Sequence, residues 1–244
     1  MRYYLGAATR GTTMTRLTEQ DLREVPAYTI TEAAGYLRLP KSTLRAWMVG
    51  QPYHVGEVRK FFQPVIEIAD TKHWNLSFIN LVEAFVLAGL RRKHTVPLPS
   101  VRKAVNYLRK HFDTPRPLAE EQFETDGVDL FVRKYGELIG ASQEGQKLME
   151  SMLRQRLKLV KRDPEGIPQK LILFPALRAK KQSAAVVIDP RLSFGRPVLE
   201  GVGVRTAILA ERFLAGEMVE ELAHDFDAPS EAIENAIRCE LRAA

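Results

Sequence analysis

The chain has 244 residues, 45% of them hydrophobic, with 36 Lys and Arg against 30 Asp and Glu for a net charge of +6. That is enough apolar material for one large core or two small ones, but no run approaches the roughly 18 apolar residues of a membrane span, and the polar stretch before Arg23 lacks the apolar segment of a secretory signal. The single Cys239 forms no internal disulfide, so nothing points to an oxidising compartment and the cytoplasm is the expected setting.

Charge is unevenly spread. Residues 1–120 hold 18 Lys and Arg against 10 Asp and Glu, net +8; residues 121–182 hold 12 against 9, net +3; residues 183–244 hold 6 against 11, net −5. A cationic front suits a polyanion, because neutralising phosphates releases condensed counterions. An anionic last quarter suits a different partner.

Residues 1–26 show little periodicity and are expected to form an arm, with Met14 an alternative start. Tyr28 to Gly50 predict two short helices and a tight turn. Thr31 is the expected N-cap of the first, with Glu32 in its first turn; Ala33 and Ala34 permit close approach, and Leu37 and Leu39 complete the apolar face. Pro40 stops that helix and starts the next, which runs to Val49, buries Leu44 and Trp47 and exposes Lys41, Ser42 and Arg45. Val65–Ile68 and His73–Leu76 are expected to be strands about the turn Ala69–Lys72. Ser77 should cap an apolar helix from Phe78 to Lys93, and Ser100 another from Val101 to Phe112 with Val101, Val105 and Leu108 on one stripe.

Residues 113–183 read as a connector with hairpins: a loop at Thr114–Pro117, Leu130–Ile139 as strand or helix, a helix over Gln146–Val160, a turn at Asp163–Gly166, a strand at Leu171–Phe174 and a polar linker at Arg178–Ser183. Residues 184–244 read as a compact unit. It comprises a strand Ala185–Ile188, a turn at Asp189-Pro190, and a hairpin of 197–199 with 202–204. Three helices follow: Ala207–Ala215 capped by Thr206, Val219–Phe226, and one from Ser230 to Arg242. The expected fold is mainly α with short β-hairpins: a winged helix-turn-helix over 27–112 and a small C-terminal hairpin/three-helix domain.

A groove-reading helix needs an apolar back and short polar or cationic residues near its N-terminus, where they reach base edges and phosphates. Leu44 and Trp47 supply the first; Lys41, Ser42, Thr43 and Arg45 supply the second, and Lys72 falls at the tip of the predicted wing. The stretch Thr31–Trp47, with its Thr-Leu-Arg-Ala-Trp run, resembles the MerR-type winged helix-turn-helix over about residues 28–112. It departs from metal- or drug-sensing members, which carry a long dimerisation helix and a ligand or cysteine site. The resemblance implies a double-stranded operator as partner; the plainer alternative is a helical hairpin with a solvated basic face.

The second signal is Asp189-Pro190, Phe194-Gly-Arg-Pro197 and Gly203-Val-Arg-Thr206. It is similar, over about 184–240, to a small antitoxin domain catalogued only as a domain of unknown function, which also follows MerR-like domains in VapB-type antitoxins. It departs at Gly201-Val-Gly203, where that family more often has Gly-Thr-Arg. This resemblance implies a PIN-like ribonuclease toxin as partner, repression of the shared operon, and a homodimer or toxin–antitoxin hetero-oligomer, with Arg191, Arg196 and Arg205 facing the partner. The anionic charge of this region gives independent support, since a nuclease is cationic around its substrate groove. Two alternatives stand beside it: a unit that only dimerises, and a stand-alone MerR-like regulator.

No catalytic, metal or cofactor site is expected. His54, His73, His94, His111 and His224 are scattered, and Glu221-x-x-His224 occurs once, without carboxylates on a second helix. Glu120-Glu121 and Glu220-Glu221 are adjacent and so point apart on a helix. Cys239 lies near a helix C-terminus, whose dipole disfavours a thiolate.

Overall fold

A computed structural model describes residues 21–91, 98–174 and 185–241. Most of the arm, Met14, His94 and the linker at 178–183 lie outside the described residues. What is described is mainly helical, with two small antiparallel sheets, as the pattern predicts.

The first helix, α1 (Ile30–Leu37), starts one cap earlier than expected. Thr29, not Thr31, is the N-cap: its hydroxyl accepts from Glu32 N at 3.2 Å, and the Glu32 carboxylate accepts from Thr29 N at 2.9 Å. This reciprocal capping box brings Ile30 into the core, where it is 7% exposed. The helix ends on Arg38 at φ 55°, and Pro40 stands at the cap of α2 (Lys41–Met48).

Two strands follow where none was expected, β1 (Gln51–Val55) and β2 (Val58–Phe62), paired antiparallel around Gly56-Glu57. Gly56 takes φ 60°, the left-handed value a two-residue hairpin loop asks of its first position. Gly50 is equally constrained: it sits at φ 82°, and a Cβ there would lie 2.2 Å from Phe62 O.

The wing expected at residues 65–76 is therefore misplaced. That segment folds back on α2, with Val65 N and Ile66 N both donating to Trp47 O at 2.8 and 3.1 Å. Val65 and Ile66 are both fully buried, which a two-faced strand alternating in and out would not allow. Asn80 then occupies the backbone groups a ladder would use: its amide donates to Glu67 O at 2.7 Å and its carbonyl accepts from Ala69 N at 2.9 Å. Only single bridges, Asp70 with Asn75 and Tyr28 with Leu76, remain.

Helix α3 (Phe78–Arg91) runs through the centre, capped by Ser77, whose hydroxyl accepts from Asn80 N at 3.2 Å. It buries Phe78, Leu81, Val82, Phe85 and Val86. Helix α4 (Leu98–Phe112) begins ahead of Ser100 and buries Val101, Ala104, Val105 and Leu108. The connector is more helical than expected. Leu130–Ile139 belongs to α5 (Val128–Ile139), whose Phe131, Val132 and Tyr135 share one buried face. Helix α6 (Gln143–Leu157) is capped by Ser142 and gives way to β3 (Val160–Arg162).

Strand β4 (Pro168–Phe174) pairs on one side with β3 and on the other with β5 (Val186–Ile188), which pairs with the two-residue β6 (Val198–Leu199). The units expected on either side of residue 184 thus share one sheet. The chain then forms α7 (Thr206–Leu214), α8 (Val219–Asp225) and α9 (Ser230–Glu240). Thr206 and Ser230 are the first helical residues rather than the caps, which are Arg205 and Pro229. Thr206 is wholly buried and its hydroxyl contacts the Glu240 carboxylate, so it ties α7 to the end of α9. One core connects α1, α3 and α9, running from Tyr28 to Cys239.

Candidate nucleic-acid interface

Helix α2 sorts its residues by face. Leu44 and Trp47 are buried at 0% and 3% exposure, while Lys41, Ser42 and Arg45 are exposed. Thr43 is 7% exposed and turns inward, so it does not join the surface set expected from sequence. Arg45 is not loose in solvent: its guanidinium lies 4.0 Å from the centroid of the Trp74 ring. Trp74 itself sits at φ 60°, a rare conformation for a bulky residue.

The turn carrying Trp74 is organised by Asp70. Its carboxylate accepts from Lys72 N at 2.9 Å and His73 N at 3.2 Å and lies 2.9 Å from His73 Nδ1. The His73 contact, reinforced by these backbone donors, holds the Asp70 carboxyl below its usual range. Lys72 is exposed on this turn, whose Trp74 ring meets Arg45 of α2, rather than at the tip of a wing.

The observed wing presents Tyr53, His54, Arg59 and Lys60, all exposed, with Tyr53 opposite Lys60 and His54 opposite Arg59. Phe62, 6% exposed, anchors its base. Sequence reasoning missed these residues. The signal was the Val55-Gly-Glu-Val58 run, a glycine-led two-residue loop between β-branched residues; Pro52 obscured it, because proline demotes a strand to an edge, and an edge is what this arm is. Among the described residues, Lys41, Arg45, Arg59, Lys60 and Lys72 enter no ion pair.

The three arginines expected to face a partner have different surroundings. Arg191 is clamped on Asp189, Nε to Oδ1 at 2.9 Å and a terminal nitrogen to Oδ2 at 2.6 Å, with its side chain 56% exposed. Arg196 faces inward, donating to Glu32 Oε1 at 2.6 Å and bonding Tyr36, both on α1. Burial alone would raise the Glu32 carboxyl, but Thr29 and Arg196 hold it below its ordinary value. Arg205 is exposed on the rim of a hollow of about 300 Å³ that Glu32, Tyr36, Arg196 and Glu240 also line. Tyr28 adds a second tie, its hydroxyl donating to Gly195 O at 2.9 Å. The C-terminal unit is therefore bolted to the first helix of the helix-turn-helix.

Glu83 on α3 is fully buried. Burial pushes its carboxyl up to about 8, opposed by Arg109, then Arg116, then Asn80. Cys239 is also buried, its thiol pushed up to about 12, which removes it as a nucleophile at neutral pH.

Comparison with known proteins divides the chain along similar lines. Residues 26–105 match the family described as "Putative DNA-binding HTH domain", and residues 186–238 match "Protein of unknown function (DUF433)". A protein of Mycobacterium tuberculosis (strain ATCC 25618 / H37Rv) named "Putative antitoxin VapB45" is 29% identical over 239 residues, 90% of this chain and 96% of its own length. "Uncharacterized protein Rv2308" of the same strain is 27% identical over 223 residues, 88% and 89% of the two chains. The crystal structure of Rv2018 from Mycobacterium tuberculosis shares the fold, with a TM-score of 0.61 at 24% identity, over 88% of this chain and 98% of that one. The N-terminal region is thus a helix-turn-helix domain, and among the described residues no helix is long and apolar enough to cross a membrane.

Proposed function

We propose that this chain is a non-enzymatic cytoplasmic antitoxin that binds and neutralises a PIN-like ribonuclease toxin and represses their shared operon through its MerR-like helix-turn-helix. The observation that carries the DNA half is the outward set Lys41, Ser42 and Arg45 on a helix whose back, Leu44 and Trp47, is locked in the core. In this reading α2 enters the major groove, Arg45 reaches base edges from its Trp74 platform, and Lys72, Arg59 and Lys60 meet flanking phosphates. A homodimer would place two such helices in successive major grooves about 34 Å apart.

The antitoxin half is supported by the 29% identity, over most of both chains, to a protein whose name carries that role, and by the net −5 charge of residues 183–244. An anionic cover suits the substrate groove of an RNA-cutting enzyme. Arg191 and Arg205, both exposed, are the proposed polar contacts; Arg196 is committed to Glu32 on α1. The test combines the full chain with the ribonuclease encoded beside it. RNA cleavage should fall stoichiometrically as the chain is added, and a DNA fragment from upstream of the operon should be retarded by the chain and by the complex. Retardation without any effect on cleavage would leave a stand-alone regulator.

A further inference from the structure

Leu192 to Arg196 form a single left-handed turn. Gly195 N donates to Leu192 O at 2.8 Å and Arg196 N to Ser193 O at 3.1 Å, with φ of 47° at Ser193, 56° at Phe194 and 75° at Gly195. Only glycine enters that region freely; for residues with a Cβ it is strained, and for a bulky aromatic it is an outlier. The product is a phenylalanine 94% exposed to solvent, beside Leu192 at 46%. The ring gains nothing from the rest of the molecule.

This exposure is not the slackness of a loose loop. Tyr28 holds Gly195 O, and a Cβ at Gly195 would lie 2.5 Å from the Tyr28 hydroxyl. Arg196 is fastened to Glu32, Leu192 N donates to Asp189 O at 2.9 Å, and Arg191 is clamped by the Asp189 carboxylate. Arg191, Leu192, Gly195 and Arg196 are each anchored, and Ser193 and Phe194 are held in costly backbone conformations, so that an apolar ring stands in water. Strain that the surroundings over-determine marks a functional site, and a rigid aromatic already in its bound pose is how interface hot spots avoid ordering costs.

We propose that Phe194 is a preformed anchor that inserts into an apolar pocket on the partner ribonuclease; this rests on the antitoxin reading above. Charge favours a cationic protein over a second copy of this chain, because two modules of net −5 repel when brought face to face.

The experiment uses the full chain and the ribonuclease of the same operon, purified separately. Phe194→Asn keeps a residue that tolerates the left-handed region and removes the ring; Phe194→Trp keeps a ring. The expected result is about a 30-fold or greater loss of ribonuclease affinity for Phe194→Asn, near wild-type affinity for Phe194→Trp, and unchanged thermal stability and operator binding for both. Wild-type affinity in Phe194→Asn would overturn the anchor and leave the antitoxin reading standing. A ribonuclease that ignores the wild-type chain would overturn both. Loss of self-association in the ultracentrifuge with ribonuclease binding intact would also overturn it, by making a second copy the occupant.

Discussion

Glu83 offers the sharpest quantitative consequence of this fold. Its carboxyl is buried on α3, under the segment that Asn80 pins, and titrates near 8 rather than at 4.5. A carboxyl whose folded pKa is raised binds its proton more tightly when folded. Its stabilising contribution is complete below 4.5 and declines as pH climbs from there to about 8. Between pH 5 and pH 7 this one group should remove about 2–3 kcal/mol of stability, at roughly 1.4 kcal/mol per unit of pH. Glu83→Gln keeps the shape and has no proton to lose. Carboxylates held low, such as Glu32 and Asp189, act mostly below pH 5 and are common to both proteins. Urea unfolding of each protein at pH 5, 6 and 7 isolates the effect: the wild-type free energy should fall relative to the variant by that amount. Parallel pH profiles would show that Glu83 is solvated or paired in the folded state, and would refute the reasoning.

Three further outcomes follow from named contacts. Trp74→Leu removes the platform under Arg45, which is worth about 0.5–1 kcal/mol at a partly exposed site; operator affinity measured by fluorescence anisotropy should drop about two- to five-fold, and no change would show that Arg45 needs no positioning. Arg196→Met breaks the tie between the C-terminal unit and α1. Both partners are about one-third exposed, so solvent screening limits the loss to about 1 kcal/mol, seen as a Tm lowered by about 2–4 °C. Gly50→Ala puts a Cβ against Phe62 O at φ 82° and should cost more than about 1 kcal/mol; a Tm equal to wild type would mean that the wing's first strand is not seated as described.

Local chemistry with one dominant solution was readable from the chain. Pro40 at the head of α2, Ser77 before α3, the buried stripe of α4 and the outward trio Lys41, Ser42 and Arg45 follow from caps, periodicity and a proline. The wing was missed because two patterns competed. The apolar run at Val65–Ile68 looked like strand, but its polar backbone groups go to Asn80 and Trp47, a tertiary arrangement with no local signature. The true hairpin at 51–62 is nearly all exposed and so lacks the alternation that announces a half-buried strand. Leu130–Ile139 was ambiguous because short apolar segments suit either period, and packing decided for helix. Arg196 illustrates a further limit: nothing local says that an arginine in a turn will reach a glutamate 164 positions earlier. Phe194 was seen only as part of a motif, since its exposure and its backbone strain exist only in three dimensions.

The most direct measurement titrates the full chain onto DNA from upstream of its operon, and onto a scrambled duplex, across a range of salt concentrations. Arg45→Ala should weaken binding to the operon fragment by about 1–3 kcal/mol and leave the scrambled duplex nearly unaffected. Changing Arg59 and Lys60 together to Ala should weaken both equally and flatten the logarithmic salt dependence by about 2. Equal affinities for wild type and Arg45→Ala on both duplexes, with an unaltered salt slope in the wing variant, would place the nucleic-acid surface somewhere other than α2 and its wing.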